Sequence, residues 1–271
     1  MNVSPSLVDL AAPARGFAVL AGVIGACVLA ETRAPGVRRR RSAGRALNLG
    51  VGLVSLLISV ISSGSVGALA TVAVNAASGG WIVLPSHGWG LIAGCLIYLA
   101  AMDLGEYLFH RAQHAIPALW ALHSLHHSDP DFGATTTVRH FWLDPLLKTL
   151  TIWLAVGLMF KASPAIAGVY AAVTYYNFWT HTNVRVGYGR WSWLLNSPQY
   201  HRMHHSALPE HFDCNYAALL PIYDLISGAY RRPRSDEYPP TGLDTGERPR
   251  SFVQAVVWPL RDRRAESTAR S

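Results

Sequence analysis

The stretch "LNLGVGLVSLLISVISSGSVGALATV" at residues 47–72 contains no charged side chain, and it decides the class of fold. It lies inside a run of 57 residues, 46–102, that has no Asp, Glu, Lys or Arg. The whole chain is 51% hydrophobic and 14% charged, whereas soluble globular domains are about 25% charged. Because a bilayer crossing needs about 20 apolar residues, the composition predicts an all-α, integral membrane helical bundle.

Other apolar segments set the predicted number of spans. We predict one span at 47–72 and another at 89–109. Residues 16–30 are apolar but short; they are interpreted as a span, with a signal-peptide core as the alternative. Segments 145–160 and 162–180 predict a membrane hairpin, made of two full spans or of a tilted or re-entrant pair. The prediction is therefore about three spans plus a helical hairpin.

These segments divide the chain into three regions: an N-terminal transmembrane region 1–109, a histidine-rich region 110–230 that includes the hairpin 145–180, and an Arg/Pro-rich tail 231–271. The positive-inside rule predicts that "RRRR" at 38–41 is cytoplasmic. An even number of crossings then places the histidine clusters and the tail on that side, as a histidine-rich helical cap. The net charge of +7 lies mainly in the tract and tail. We therefore predict a membrane-surface role for this charge and no nucleic-acid partner.

Eight of the 12 histidines fall in three clusters within "FHRAQHAIPALWALHSLHHSDP" (109–130) and "SPQYHRMHHS" (197–206). Spacings of three and four residues place imidazoles on one side of a helix, and exposed helix faces have no reason to prefer histidine. Since zinc takes four ligands at most in ordinary sites, eight imidazoles predict two metal ions with about four each. Iron, copper, nickel and zinc all accept imidazole. The clusters are His110 and His114; His123, His126 and His127; and His201, His204 and His205.

The motifs HxxxH, HxxHH and HxxHH resemble the histidine boxes of the fatty acid hydroxylase and sterol desaturase superfamily, which are membrane non-haem di-iron oxygenases. The segments "DLGEYLFHRAQH", "THTNVRVGYGRWSWLLNSPQYHRMHH" and "DCNYAALLPIYDLISGAY" are also similar to that family, so the resemblance covers about 103–230. The chain has Ala217 and Tyr223 where the family tends to have Gly and Trp. It has "RHFWLDPLL" in place of a shorter family segment, which leaves the role of His140 open.

The resemblance implies two iron ions, O2 as co-substrate and His181 as a ninth ligand. Asp103 precedes His110 by two helical turns, from where a carboxylate can orient an imidazole from behind. His87 is predicted to lie on the opposite side of the membrane and to be unrelated to the site. The remaining candidates for supporting roles around the ligands are His140, Asn183, His211, Asp213 and Asn215.

The resemblance also implies a function: hydroxylation of an unactivated C–H bond in a membrane lipid such as a fatty acyl chain or sterol, with desaturation at the same site as the alternative. The chain shows no GxGxxG, CxxCH or ferredoxin cysteine set. Electrons are therefore predicted to come from a separate protein, cytochrome b5-like or a ferredoxin with an NAD(P)H reductase. The predicted location is the bacterial inner membrane, or the endoplasmic reticulum in a eukaryote.

Two other classes of protein are disfavoured by the residues. A zinc hydrolase is disfavoured because HExxH is absent and the histidines are too numerous. A membrane metal transporter would place ionisable residues near the bilayer midplane, whereas these histidines cluster at the ends of predicted spans. A haem carrier would need two axial histidines and not nine.

Overall fold

The protein is almost entirely helical in its computed structural model, which describes residues 12–38, 43–62 and 68–260. Within those ranges the strands are Ile82–Val83 (β1) and Phe160–Lys161 (β2), two residues each, paired in parallel. The all-α prediction is therefore confirmed at the level of fold class.

The N-terminal region contains helices α1 (Ala12–Arg33), α2 (Ala43–Ser62) and α3 (Ala68–Ala76). The predicted span 47–72 is thus covered by parts of α2 and α3, and residues 63–67 between them lie outside the described residues. Three arginines of the basic tract, at 39–41, also lie outside them, so the predicted orientation stays a prediction.

Helix α4 (Gly88–Ala115) is the longest described element. Its 28 residues extend about 42 Å, more than the hydrocarbon thickness of about 30 Å. It carries His110 and His114 near its C-terminal end, and His87 is the N-cap at the other end. Among the described helices, Arg15–Arg33 and Gly88–Ala115 are long and apolar enough to cross a membrane, and α2 contributes a shorter apolar stretch. Two apolar helices fit a membrane protein, and the count of three spans stays a prediction.

The predicted hairpin is present as two helical legs. With α5 (Pro117–His127) preceding it, the first leg consists of α6 (Asp144–Lys148), a π-helical turn (Thr149–Trp153) and α7 (Leu154–Met159). The second consists of α8 (Pro164–Thr174) and α9 (Tyr176–Thr180). Ser163 begins the second leg by accepting a hydrogen bond from the Ile166 amide, as a helix N-cap does. The first leg extends about 24 Å, less than a full crossing, which favours the tilted or re-entrant alternative.

Short elements close the molecule over the ends of α4 and the hairpin. They are α5 (Pro117–His127), α10 (Pro198–His204), α11 (Ile222–Ser227) and α12 (Phe252–Val256), with single 3-10 turns at Ala134–Val138, Gly189–Trp191, Pro209–His211 and Trp258–Leu260. Met102 of α4 packs with Ile152 and Ile166 of the hairpin in one core, and Leu125 of α5 packs with Val51 and Trp258 in another. The first core fixes α4 against the hairpin, and the second fixes α5 against α2 and the Trp258–Leu260 turn.

The outward faces of the long helices are apolar. Leu53 of α2 is 54% exposed, and Leu96 and Leu108 of α4 are 61% and 57% exposed. Leucines in that number on a water-facing surface would favour aggregation, whereas a bilayer accommodates them.

Candidate metal centre

The nine histidines that the sequence and the family resemblance single out converge into two adjacent groups. In each group, one ring nitrogen from every member lies within 4.8 Å of those of all the others. Each HxxHH motif contributes to both groups, so the division does not follow the motifs. The structure thus provides two groups, of five and four histidines, where the sequence predicted two ions with about four ligands each. The first group is His110, His114, His123, His127 and His204, and the second is His126, His181, His201 and His205.

The connection between α4 and α5 brings the first two motifs together. Ile116 is both the C-cap of α4 and the N-cap of α5, and Pro117 is the first residue of α5. A residue before proline is disfavoured in the helical conformation, so the chain changes direction at Ile116 and α5 packs against α4. As a result, His110 Nε2 lies 3.0 Å from His123 Nε2, and His114 Nε2 lies 3.2 Å from His127 Nε2.

Backbone carbonyls fix the tautomers of three histidines. The Nδ1 atoms of His110, His181 and His204 lie 2.7, 2.7 and 2.8 Å from the carbonyl oxygens of Tyr216, Asn177 and Cys214. A carbonyl only accepts hydrogen bonds, so Nδ1 carries the proton in each ring. In the neutral imidazole, Nε2 then presents a lone pair to the centre of the site.

Lone pairs face one another across the site. His204 Nε2 is 3.0 Å from His110 Nε2, and neither nitrogen has a proton to donate to the other. His205 Nε2 is buried and has no hydrogen-bond partner among the described residues. Metal–imidazole bonds of about 2.0–2.1 Å place neighbouring ligand nitrogens about 2.9–3.4 Å apart, which matches these contacts. The donor set therefore fits metal cations between the rings.

Burial keeps the imidazoles neutral. It lowers the pKa of His181 to about 3 and that of His204 to about 4. The pKa values of the histidines of α5, of His201 and of His205 are lowered for the same reason, and neighbouring histidines lower them further. Neutral imidazole is the form that binds metal, so the site is ready to bind cations at neutral pH.

Asp103 contacts a loop and not an imidazole. Its carboxylate accepts hydrogen bonds from the amides of Leu219 and Leu220, at 3.1 and 3.0 Å. Asp103 was predicted to orient a histidine directly; the structure shows that it can act on one only through this loop. The loop that Asp103 supports also carries Tyr216, whose carbonyl accepts a hydrogen bond from His110 Nδ1.

Asp213 and Asn215 shape the backbone on either side of Cys214. Both have positive φ, 55° and 58°, a region that Asp and Asn tolerate better than other L-residues. The Asn215 side chain bonds the backbone of Arg231 in both directions, at 2.7 and 2.9 Å. Asp213 is exposed, and its carboxylate lies 3.8 Å from His114 Nδ1. Together they aim the Cys214 carbonyl at His204.

The other three candidates have different surroundings. His140 stacks on His126 with ring centres 4.2 Å apart, and its Nδ1 lies 3.0 Å from Asp144. His211 contacts Ser206 and Glu237 at 2.8 and 3.0 Å and belongs to neither histidine group. The Asn183 amide group donates to the carbonyl of Val37 at 2.7 Å, so Asn183 connects the segment after His181 to the end of α1.

Sequence reasoning missed three buried charged residues that hold this centre together. Asp224 accepts hydrogen bonds from the Tyr200 hydroxyl and from the amides of Tyr216 and Ala217. Glu31 accepts from the amides of Ala134 and Asn183.

The third of these residues, Arg139, donates to the carbonyls of Leu125 and Ser128 at the end of α5. Of these three residues, only Glu31 could have been noticed in the sequence, because it is an isolated acid at the end of an apolar helix. The partners of all three residues are largely backbone atoms, and the two backbone partners of Glu31 are more than 100 residues away in sequence.

Two cavities reach the histidines from different directions. The first cavity, about 280 Å³, is lined by His110, His123, His126, His181 and His201 together with residues of α4 and the hairpin. The second cavity, about 410 Å³, is lined by His114, His127 and His204 together with Trp120, Phe212 and residues 242–245. No histidine lines both cavities, and the first cavity is lined by members of both histidine groups.

Comparison with known proteins identifies the family. Residues 95–229 match the family model of the fatty acid hydroxylases. Alkylglycerol monooxygenases of Xenopus tropicalis and Homo sapiens are each 34% identical to this chain, over 48% of it and 28% of their own length. Ornithine lipid hydroxylase OlsE of Rhizobium tropici is 28% identical over 71% of this chain and 58% of its own length. No solved structure matches the chain.

The chain belongs to the fatty acid hydroxylase superfamily. It matches less than a third of the length of the alkylglycerol monooxygenases. The relatives are lipid hydroxylases and monooxygenases by name, which indicates an oxidoreductase.

Proposed function

We propose that this protein is a membrane-bound, O2-dependent di-iron oxygenase that hydroxylates an unactivated C–H bond of a membrane lipid. The observation that carries the proposal is the pair of histidine groups, within which Nε2 atoms of neighbouring rings lie 3.0–3.2 Å apart. Imidazole accepts several metals, and membership of the fatty acid hydroxylase superfamily favours iron. The relatives named monooxygenase and hydroxylase favour hydroxylation over desaturation.

The nine histidines would hold the two ions, five around one and four around the other. When bound, the ions would supply the reduction of O2 and the oxidant that removes hydrogen from carbon. The protein's own contribution is to fix the ligands. The carbonyls of Tyr216, Asn177 and Cys214 hold three rings in one tautomer, and burial of the site limits access of water.

The first cavity is the proposed substrate site. It lies between α4 and the hairpin, the two apolar elements that carry or adjoin the histidines, and Leu99, Tyr170 and Val173 form part of its wall. A lipid could enter from the bilayer between these elements and bring one carbon to His110 and His126.

Location and partners follow from the same proposal. The histidine site faces the cytoplasm of a multi-pass protein in the bacterial inner membrane, or in the endoplasmic reticulum of a eukaryote. Regions 1–109, 110–230 and 231–271 serve as membrane anchor, catalytic region and cytoplasmic tail. A separate cytochrome b5-like protein or ferredoxin supplies electrons.

Metal analysis of the purified protein, combined with lipid analysis of a deletion strain, tests this proposal. We expect about two irons per chain and the loss of a hydroxylated lipid from the strain. One zinc per chain would favour a hydrolase, and a Soret band would favour a haem carrier; either result would overturn the di-iron proposal.

A further inference from the structure

An ion pair lies in the wall of the first cavity, near the histidines. Lys148 Nζ is 2.7 Å from Glu106 Oε2, and the two side chains are 28% and 20% exposed. Both residues line the cavity together with His110 and His123. Glu106 precedes His110 by one turn of α4, which is about 6 Å along the helix axis. A carboxylate therefore lies one helical turn from a proposed ligand, with an ammonium group beside it.

The elements that carry this pair are otherwise apolar. α4 exposes Leu104 and Leu108 on its outer face, and the hairpin leg continues from Lys148 into Leu150 and Trp153, which are also exposed. Charges in such surroundings lose hydration, and two apolar side chains would join the helices at lower cost. Ionisable residues at membrane depth are more often part of a binding or transport site than of a simple helix contact.

Neighbouring acids already have partners. Asp103 accepts two backbone amides, and Asp144 accepts a hydrogen bond from Gln113 and lies beside His140. Glu106 and Lys148 are paired with each other. A ligand that offered each of them an opposite charge could therefore replace their mutual contact without disturbing the other residues of the cavity wall.

We propose that the Glu106–Lys148 pair is a headgroup site for a zwitterionic lipid. The cationic group of the headgroup binds Glu106, and its anionic group binds Lys148. This inference rests on the proposed function, since it assumes that the ligand of the cavity is a membrane lipid. A headgroup with one charge would leave Glu106 or Lys148 without a counter-charge, which is unfavourable in a partly buried site. An uncharged headgroup would gain nothing from separating the pair.

The position of the pair also limits which carbon is oxidised. With the headgroup held about 6 Å from His110 along α4, the reacting carbon lies within a few bonds of the headgroup. Thr137, Tyr176 and Asn177 add polar groups to the same cavity. The distal part of the acyl chain would remain in the bilayer.

Binding of four lipids that share a dodecyl chain tests this proposal on the full chain in dodecyl maltoside micelles. They are dodecylphosphocholine (zwitterionic), dodecyl phosphate (anionic), dodecyltrimethylammonium (cationic) and 1-O-dodecylglycerol (uncharged). Displacement of radiolabelled dodecylphosphocholine gives the four dissociation constants. We expect the zwitterion to bind at least about tenfold more tightly than each of the others. Equal affinities would overturn the proposal.

Variants distinguish a headgroup site from an ion pair that only holds two helices together. Glu106→Gln with Lys148→Met removes both charges and should abolish the preference for the zwitterion. Glu106→Lys with Lys148→Glu retains an ion pair and should retain the preference over singly charged lipids. Arg234→Gln is the matched control, because Arg234 pairs with Asp236 at an exposed position outside the cavity, with side chains 75% and 71% exposed; it should change nothing.

Thermal unfolding and iron content report whether each variant is folded. An unchanged preference in the folded, uncharged double variant would overturn the headgroup proposal. If that variant does not fold, the four affinities of the unmodified chain decide the question alone. Two irons per chain without a headgroup preference would overturn only this inference, whereas absence of iron would overturn the proposed function.

Discussion

The Nε2 atoms of His110 and His204 lie 3.0 Å apart while both Nδ1 atoms are bonded to backbone carbonyls. Two neutral imidazoles in these tautomers cannot hydrogen-bond each other. His110 comes from α4 and His204 from α10, so one cation would join α4 to residues 198–205, which we call the cap. Metal binding and stability of the cap are expected to be coupled.

Removal of metal should therefore loosen the cap. Without a cation, the lone pairs of His110 and His204 oppose each other, and the buried His205 Nε2 has no hydrogen-bond partner in the part of the chain that the structure describes. Free metal at 1,000 times its dissociation constant stabilises the folded state by about 4 kcal/mol. Chelation should lower the melting temperature and raise amide hydrogen exchange in residues 198–205, with little change in the hairpin tip. Identical melting curves with and without metal would contradict this.

Loss of one ligand should abolish turnover. His126→Ala removes a member of the four-histidine group, and we expect a loss of activity of more than about 100-fold, because mutation of mere supporting residues already costs 10–100-fold in metal affinity or activity. Iron content per chain should fall as well. His87→Ala, at the opposite end of α4, is the control and should behave as the unmodified protein. Near-normal activity of His126→Ala would disprove its assignment as a ligand.

Asp103 should influence the metal through the 216–220 loop. Asp103→Asn weakens the acceptance of two amide hydrogen bonds and shifts the Tyr216 carbonyl from His110. We expect iron affinity to fall by about 10–100-fold with the fold retained, as measured by iron competition with a chelator and by circular dichroism. Asp236→Asn, an exposed acid, is the comparison. Unchanged iron affinity in Asp103→Asn would limit Asp103 to a structural role.

The predicted topology can be tested by accessibility. A cysteine at Ser86, beside the N-cap of α4, should be labelled from outside the cell by an impermeant maleimide. A reporter fused after Ser271 should report from the cytoplasm, because the positive-inside rule places "RRRR" at 38–41 on that side. If both positions react on the same side, the proposed orientation and the odd number of crossings predicted between them are wrong.

The sequence predicted which residue types meet, and the fold determined how they are grouped. Histidine spacings of three and four identified eight ligand candidates without any structure. His126 belongs to the same histidine group as His181 and not to that of His127. This grouping depends on the turn at Ile116–Pro117 and on the return of the hairpin. These are tertiary relationships, and helical periodicity carries no information about them.

The hydrogen bonds to backbone atoms were the other feature that the sequence could not predict. The carbonyls of Tyr216, Asn177 and Cys214 fix three tautomers, and a carbonyl has no residue-type signal. The role of Asp103 was misplaced for the same reason: its partners at 219 and 220 are more than 100 residues away and are backbone amides.

Turnover under 18O2 tests the central claim most directly. Purified protein with two irons, a reconstituted electron donor and its membrane lipid should yield a lipid alcohol that carries one 18O atom from O2. Oxygen insertion needs one C–H bond within reach, whereas desaturation needs a vicinal pair held in place, and a displacement of about 1 Å can change such an outcome. A label-free alkene as the main product, without labelled alcohol, would contradict hydroxylation and leave a desaturase at the same site.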